Sequence, residues 1–208
     1  MDQFRLLILS SGRAGSTSLL NALYYSLNDS TRYFEALDDK VGISNNTLKF
    51  NSHLFEIRNP RTPFYLEKNL VSSPSFHPYE IRLELYNSYI TYFDQVILLA
   101  RKDIKKTIES FVFATTQEIW HDKYNFKDYK NIDKKSWDDE YSKVIESNQL
   151  IESLSNKNNI PITYYEDLFF NGKGFQKKFL ENNSIRNLDY PDIFYRTMNP
   201  NQKYRQDE

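Results

Sequence analysis

A chain of 208 residues is long enough for one substantial core and too short for two full enzyme domains, so a single domain over 1–208 is expected. Its 27 basic and 28 acidic side chains leave a net charge of -1, which excludes whole-surface attraction to nucleic acid or to an anionic membrane; any anion must be recognised locally. There is no cysteine, which excludes disulfides, thiolate metal sites and cysteine nucleophiles, and the 3 histidines, His53, His77 and His121, are too scattered to suggest a metal site.

In chain order, the run Leu6-Leu7-Ile8-Leu9 reads as a strand buried on both faces of a parallel sheet. It is too short for a secretory core, and no run of about 18 apolar residues follows anywhere, so a soluble, cytoplasmic protein is expected. Next comes Ser10-Ser11-Gly12-Arg13-Ala14-Gly15-Ser16-Thr17-Ser18, a small-residue turn. From Ser16 on, Leu19, Leu20, Leu23 and Leu27 share one helical face. A strand, a glycine turn and a helix start together suit an anionic ligand, because unpaired amides and the helix dipole both favour negative charge there.

Residues 31–62, with Gly42, Asn45-Asn46, Asn51 and the turn Asn59-Pro60-Arg61, read as a loop-rich segment on the substrate side. A second strand is expected around Phe64-Tyr65-Leu66, then a helix from Pro78 to about Tyr92 with Ile81, Leu85 and Tyr89 on its apolar face. Val96-Ile97-Leu98-Leu99-Ala100 reads as a central strand, followed by a helix from about Ile104 to Trp120. Arg101, Lys102, Lys105 and Lys106 gather at the start of that helix, where cations are disfavoured unless an anion sits among them. After a polar stretch from Tyr124 to Lys135, a long amphipathic helix carries Trp137, Val144, Ile151 and Leu154. A strand over Ile160-Pro161-Ile162-Thr163-Tyr164-Tyr165, a turn at Asn171-Gly172 and a helix with Phe175, Phe179 and Leu180 complete the pattern; 182–208 is a polar tail. Alternating apolar strands and helices predict a three-layer α/β/α domain with a mostly parallel sheet, whose ligands bind at the carboxyl ends of the strands.

The turn lacks the lysine of G-x-x-x-x-G-K-[ST], so a nucleoside-triphosphate loop loses its most specific residue. What it offers is a forked cation, Arg13, before a glycine and a run of hydroxyls. Arg13-Ala14-Gly15-Ser16-Thr17 resembles the 5′-phosphosulfate loop of sulfotransferases that use 3′-phosphoadenosine 5′-phosphosulfate (PAPS). Leu99-Ala100-Arg101-Lys102-Asp103 through Ser110 resembles that family's 3′-phosphate element, an Arg at a strand end with a Ser in the next helix. The family spacing between them is commonly eight; Lys102 stands eight before Ser110 and Arg101 nine, and Arg101 is favoured for its bidentate geometry with Lys102 as the second candidate. Ala114 to His121 is similar to the bacterial carbohydrate branch that contains trehalose sulfotransferase, and Tyr164-Tyr165-Glu166-Asp167-Leu168 resembles the family's later strand and acidic turn.

The resemblance implies a P-loop-like sulfotransferase fold and transfer of a sulfuryl group from PAPS to a hydroxyl of a small acceptor, a carbohydrate by the branch it favours, with 3′,5′-adenosine bisphosphate (PAP) as product. It implies nucleotide contacts from Arg13, Ala14, Gly15, Ser16, Thr17, Ser18, Arg101 or Lys102, and Ser110. No metal, nucleic acid or membrane is implied, and a homodimer is left open. The trehalose-type branch places a glutamate base shortly after the first helix, which Glu35 in Tyr33-Phe34-Glu35 matches; His53 and His121 are the alternatives. Arg196, Lys203 and Arg205 of the tail stand as candidates to cover the nucleotide. Two rival functions stay open: a small-molecule kinase of the P-loop type, and a PAPS- or PAP-binding protein without catalysis.

Overall fold

A computed structural model describes residues 3–37, 47–71, 78–116, 134–185 and 188–199. Strand β1 is Phe4–Ser10 and helix α1 is Ser16–Ser26, joined by the glycine turn. Then follow β2 (Ser30–Phe34), α2 (Thr47–Arg58), β3 (Phe64–Leu70), α3 (Tyr79–Ile90) and β4 (Gln95–Ala100). Helices α4 (Ile104–Thr116) and α5 (Lys134–Asn158) lead to β5 (Ile162–Tyr164), and α6 (Tyr165–Phe170), α7 (Gly172–Asn182) and α8 (Pro191–Thr197) close the described chain.

The five strands form one sheet in the order β2-β3-β1-β4-β5, and every pairing among them is parallel. Alternate residues of β1 face opposite layers, as the two-residue strand period requires. Leu6 and Ile8 join α1, α6, α7 and α8, whereas Leu7 and Leu9 join α2, α3 and α5. Helix α4 lies against α5 through Ile108, Val112 and Val144. The result is the three-layer α/β/α fold that the alternation of strands and helices predicts. Because β1 connects to α1 on one face while β3 and β4 lead to helices on the other side, the winding of the sheet reverses at β1, and sheets of this kind bind ligands at the carboxyl ends of strands at such a reversal.

Several expectations are corrected. The segment 31–62 is not mainly loop: Ser30–Phe34 is an edge strand and Thr47–Arg58 a helix. The middle strand is β1; the Val96 run of β4 is interior, one place to its side. In α3 the inward face is Arg82, Tyr86, Tyr89 and Ile90, and Ile81 is 49% exposed. Polar tips turned that face inward unseen: Tyr86 donates its hydroxyl to the Leu70 carbonyl at 2.8 Å and Arg82 pairs with Glu146 of α5. Within the tail, 191–197 is a helix that packs on α1, with Phe194 and Met198 fully buried. Residues Lys203 and Arg205, like Trp120 and His121, lie outside the described residues.

On the α3 face of β3 the core holds a fully buried carboxylate, Glu67, whose oxygens accept the hydroxyls of Tyr65 at 2.9 Å and Tyr89 at 2.5 Å. Burial first, and then the charge of Glu67, push both phenols well above the ordinary tyrosine range. Unfolded tyrosines ionise near pH 10 while these two keep their protons when folded. Their contribution to stability is therefore complete below that pH and is lost as the pH rises above it. A spectrophotometric titration of the native protein to about pH 12 should ionise fewer than the 16 tyrosines, the remainder appearing only as the circular dichroism signal collapses.

Candidate functional site

The turn between β1 and α1 is stitched into the sheet on both sides. The Ser11 amide donates to the Leu99 carbonyl of β4 at 3.1 Å, and the Ser10 carbonyl accepts the Val71 amide, just past β3, at 3.0 Å. Ser10 donates its hydroxyl to Ser16 at 2.9 Å, closing the turn on itself. Two glycines let aromatic rings press against this backbone: a Cβ at Gly12 would stand 2.1 Å from the Phe111 ring, and one at Gly15 would stand 2.8 Å from the rings of Tyr165 and Phe169. The glycines thus admit close packing from α4 and α6.

Helix α1 begins without a side-chain cap, and its first turn holds no acidic residue. Its leading amides have no intrahelical acceptor, so the positive end of the helix is available to an anion. Helix α4 differs. Glu166 of α6 accepts the backbone amides of Lys102 at 2.9 Å and Asp103 at 3.2 Å, so a carboxylate of the protein already sits at that helix start. Lys102 pairs with Asp167 at 2.7 Å, and the Arg101 Nε lies 3.7 Å from Glu166. Much of the anion that the basic cluster of α4 calls for is therefore supplied by Glu166 and Asp167.

Arg13 and Ser110, 97 residues apart, meet: the Arg13 Nε donates to the Ser110 hydroxyl at 2.8 Å. Ser110 is buried and takes this bond from Arg13, not from Arg101 or Lys102. The Arg101 guanidinium lies 4.7 Å over the ring of Tyr165, the same ring that packs at Gly15. Lys102 instead lies over Tyr164, and its side chain is half exposed. Ala14 and Ser16 are buried while Thr17 and Ser18 are partly open. The hydroxyl of Ser11 is buried without a hydrogen-bond partner, beside the turn.

Glu35 is brought to the turn by a residue that sequence reasoning missed. Lys68, at the carboxyl end of β3 and 4% exposed, pairs its ammonium with the Glu35 carboxylate and donates to the Thr17 hydroxyl at 3.2 Å. A buried ammonium is costly unless paired, and here its partners are the candidate base and the loop. The signal was present: Glu67-Lys68-Asn69 is a polar triplet inside a strand flanked by two others, where charge needs a reason. Glu35 itself is 31% exposed, so an acceptor can reach it. His53 is in the opposite layer, 4% exposed, with its Nε2 3.0 Å from Glu67 and 2.7 Å from the Tyr89 hydroxyl.

Backbone conformation singles out the same two residues. Arg13 has φ 59° and Glu35 φ 51°, both left-handed, where a long side chain costs roughly 1–2 kcal/mol. The other non-glycine residues in that region among the described ones are Asp29, Asn159 and Ser184, types that turns commonly use. Among the described residues no group of three or more His, Asp or Glu is placed to hold a metal, and no helix is long and apolar enough to cross a membrane. No known family model matches the chain, and no curated protein is significantly similar to it.

Proposed function

We propose that this protein is a sulfotransferase that moves a sulfuryl group from PAPS to a hydroxyl of a small acceptor. The observation that carries the reading is the meeting of Arg13 with Ser110, because the one stands in a stretch that resembles a phosphosulfate loop and the other in a stretch that resembles a 3′-phosphate element. The uncapped start of α1 supports the same assignment, since it leaves amides and dipole for the donor's 5′-phosphosulfate. Arg101, stacked on the ring that packs at Gly15, is the better second cation for the 3′-phosphate; Lys102 faces away and is tied to Asp167.

The chemistry follows from the groups at hand. The acceptor hydroxyl gives its proton to the Glu35 carboxylate as its oxygen bonds to sulfur, and the sulfur–oxygen bond to the 5′-phosphate breaks in line. Negative charge then grows on the leaving phosphate oxygen, where Arg13 and the amides of 14–18 meet it. Lys68 lies between Glu35 and Thr17, so its charge bridges base and loop. Phe34 supports a carbohydrate acceptor: it is 43% exposed and in register with Lys68, so it offers an aromatic face for a sugar ring next to the base.

A kinase reading gains one observation, since Lys68 brings to Thr17 a cation that the loop itself lacks. Thermal stabilisation separates the readings. PAP is expected to raise the melting temperature of the wild type and to do so much less for Arg13→Ala and Arg101→Ala, whereas ATP with magnesium should have little effect. Stabilisation by ATP and magnesium alone would favour the kinase, and PAP binding with no transfer to any hydroxylated acceptor would favour a binding protein.

A further inference from the structure

We propose that Glu67 and Asn69 are positioning residues for Glu35: the buried carboxylate fixes the Asn69 amide, and that amide holds the backbone turn on which Glu35 is presented. The pleat of β3 sends Lys68 toward α1 and its two neighbours to the other face. There Glu67 is fully buried and accepts from three donors, the Tyr65 hydroxyl at 2.9 Å, the Tyr89 hydroxyl at 2.5 Å and the Asn69 Nδ2 at 2.5 Å, with the His53 Nε2 3.0 Å away. Asn69 meets this carboxylate with its amino group. The Asn69 oxygen is thereby turned the other way, onto the Leu37 backbone amide at 2.9 Å.

That bond replaces one the sheet would otherwise make. The β2–β3 ladder ends where the Glu35 amide donates to the Lys68 carbonyl at 2.6 Å. In a regular parallel pair the next amide, Leu37, would donate to the Leu70 carbonyl two residues further on. The left-handed φ of Glu35 carries the chain out of register, and the Leu70 carbonyl accepts the Tyr86 hydroxyl instead. Asn69 supplies the missing acceptor from its side chain. The turn is thus held on both sides of Glu35, by the Lys68 carbonyl before it and by the Asn69 amide after it.

The role in turnover rests on the sulfuryl-transfer reading; the clamp on the backbone does not, and the test reads the two separately. Hydrogen exchange should find the Leu37 amide protected in the wild type and exchanging about 10-fold faster or more in Asn69→Ala, with the β1 amides unchanged. Turnover should fall about 10²-fold in Asn69→Ala at unchanged PAP affinity and acceptor KM. Asn69→Asp, which accepts the Leu37 amide and shares its acid proton with Glu67, should recover both protection and most of the rate. If Asn69→Ala does not fold, the wild-type and Asn69→Asp measurements decide: a Leu37 amide that exchanges freely while the Glu35 amide is protected overturns the clamp. Equal turnover in Asn69→Ala and wild type overturns the positioning role. Wild type that binds PAP yet transfers to no acceptor removes the catalytic reading, and the exchange result still decides the clamp.

Discussion

Glu35→Gln should lower sulfuryl transfer by about 10²–10⁴-fold, the usual contribution of a positioned general base, while the stabilisation by PAP stays near that of the wild type. Glutamine keeps the length of the side chain and an oxygen for the Lys68 ammonium, so the loop contact at Thr17 survives. What is lost is a group able to take the acceptor's proton. The ammonium, 5% exposed, is then left with neutral partners, a loss of charge assistance of about 1–3 kcal/mol. A melting curve measured beside the rate separates this cost from the catalytic one. Unchanged turnover would remove Glu35 from the reaction.

Gly15→Ala should destabilise the fold and weaken nucleotide binding together. Two costs add there. Alanine at φ 78° costs about 1–2 kcal/mol, and its Cβ would stand 2.8 Å from the rings of Tyr165 and Phe169, an overpacking that costs typically about 1–3 kcal/mol. For a protein of this size the sum corresponds to a fall in Tm of roughly 5–15 °C. Displacing Tyr165 also moves the ring on which Arg101 lies, so PAP binding should weaken as well. Gly172→Ala is the internal control: its φ is 74°, but nothing stands within 4 Å of the new Cβ. It should cost the backbone term alone. Equal losses at the two glycines would mean that the rings yield without resistance.

The strands that could be read from the sequence were those whose neighbours bury them on both faces. β1 and β4 are unbroken apolar runs because the sheet leaves them no wet side. β2 was passed over for the opposite reason: Ser-Thr-Arg-Tyr-Phe lies at an edge, every residue is at least partly exposed, and no apolar periodicity marks it. In α2 the buried apolar positions Leu54 and Ile57 are spaced for a helix, but Asn51 and Ser52 argue for a loop. Helix α8 is anchored mainly by Phe194, with Tyr195 and the following Met198 packed beside it, too short a pattern to stand out.

The site was legible in part for a similar reason. Arg13, Gly15 and Thr17 are local in sequence, and a glycine turn at a helix start announces itself. Lys68 and Glu166 act only across the fold. One supplies the cation the loop lacks; the other occupies the start of α4, which the basic residues Arg101 and Lys102 had marked for an anion. A charge balance that closes between β4 and α6 leaves no local pattern to read. Nor does one in which a β3 lysine answers a glutamate past β2.

The proposal rests on one claim: the turn from Ser10 to Ser18, with Arg13, holds the 5′ end of a 3′-phosphorylated adenine nucleotide, whose 3′-phosphate falls to Ser110 and Arg101. Thermal unfolding with PAP, in the wild type and in Arg13→Ala, tests it most directly. Saturating PAP should raise the wild-type melting temperature by several degrees, as ligand at about 100 times its Kd adds about 2.7 kcal/mol, and Arg13→Ala should lose most of that rise. An equal rise in both proteins, or none in the wild type, would contradict it.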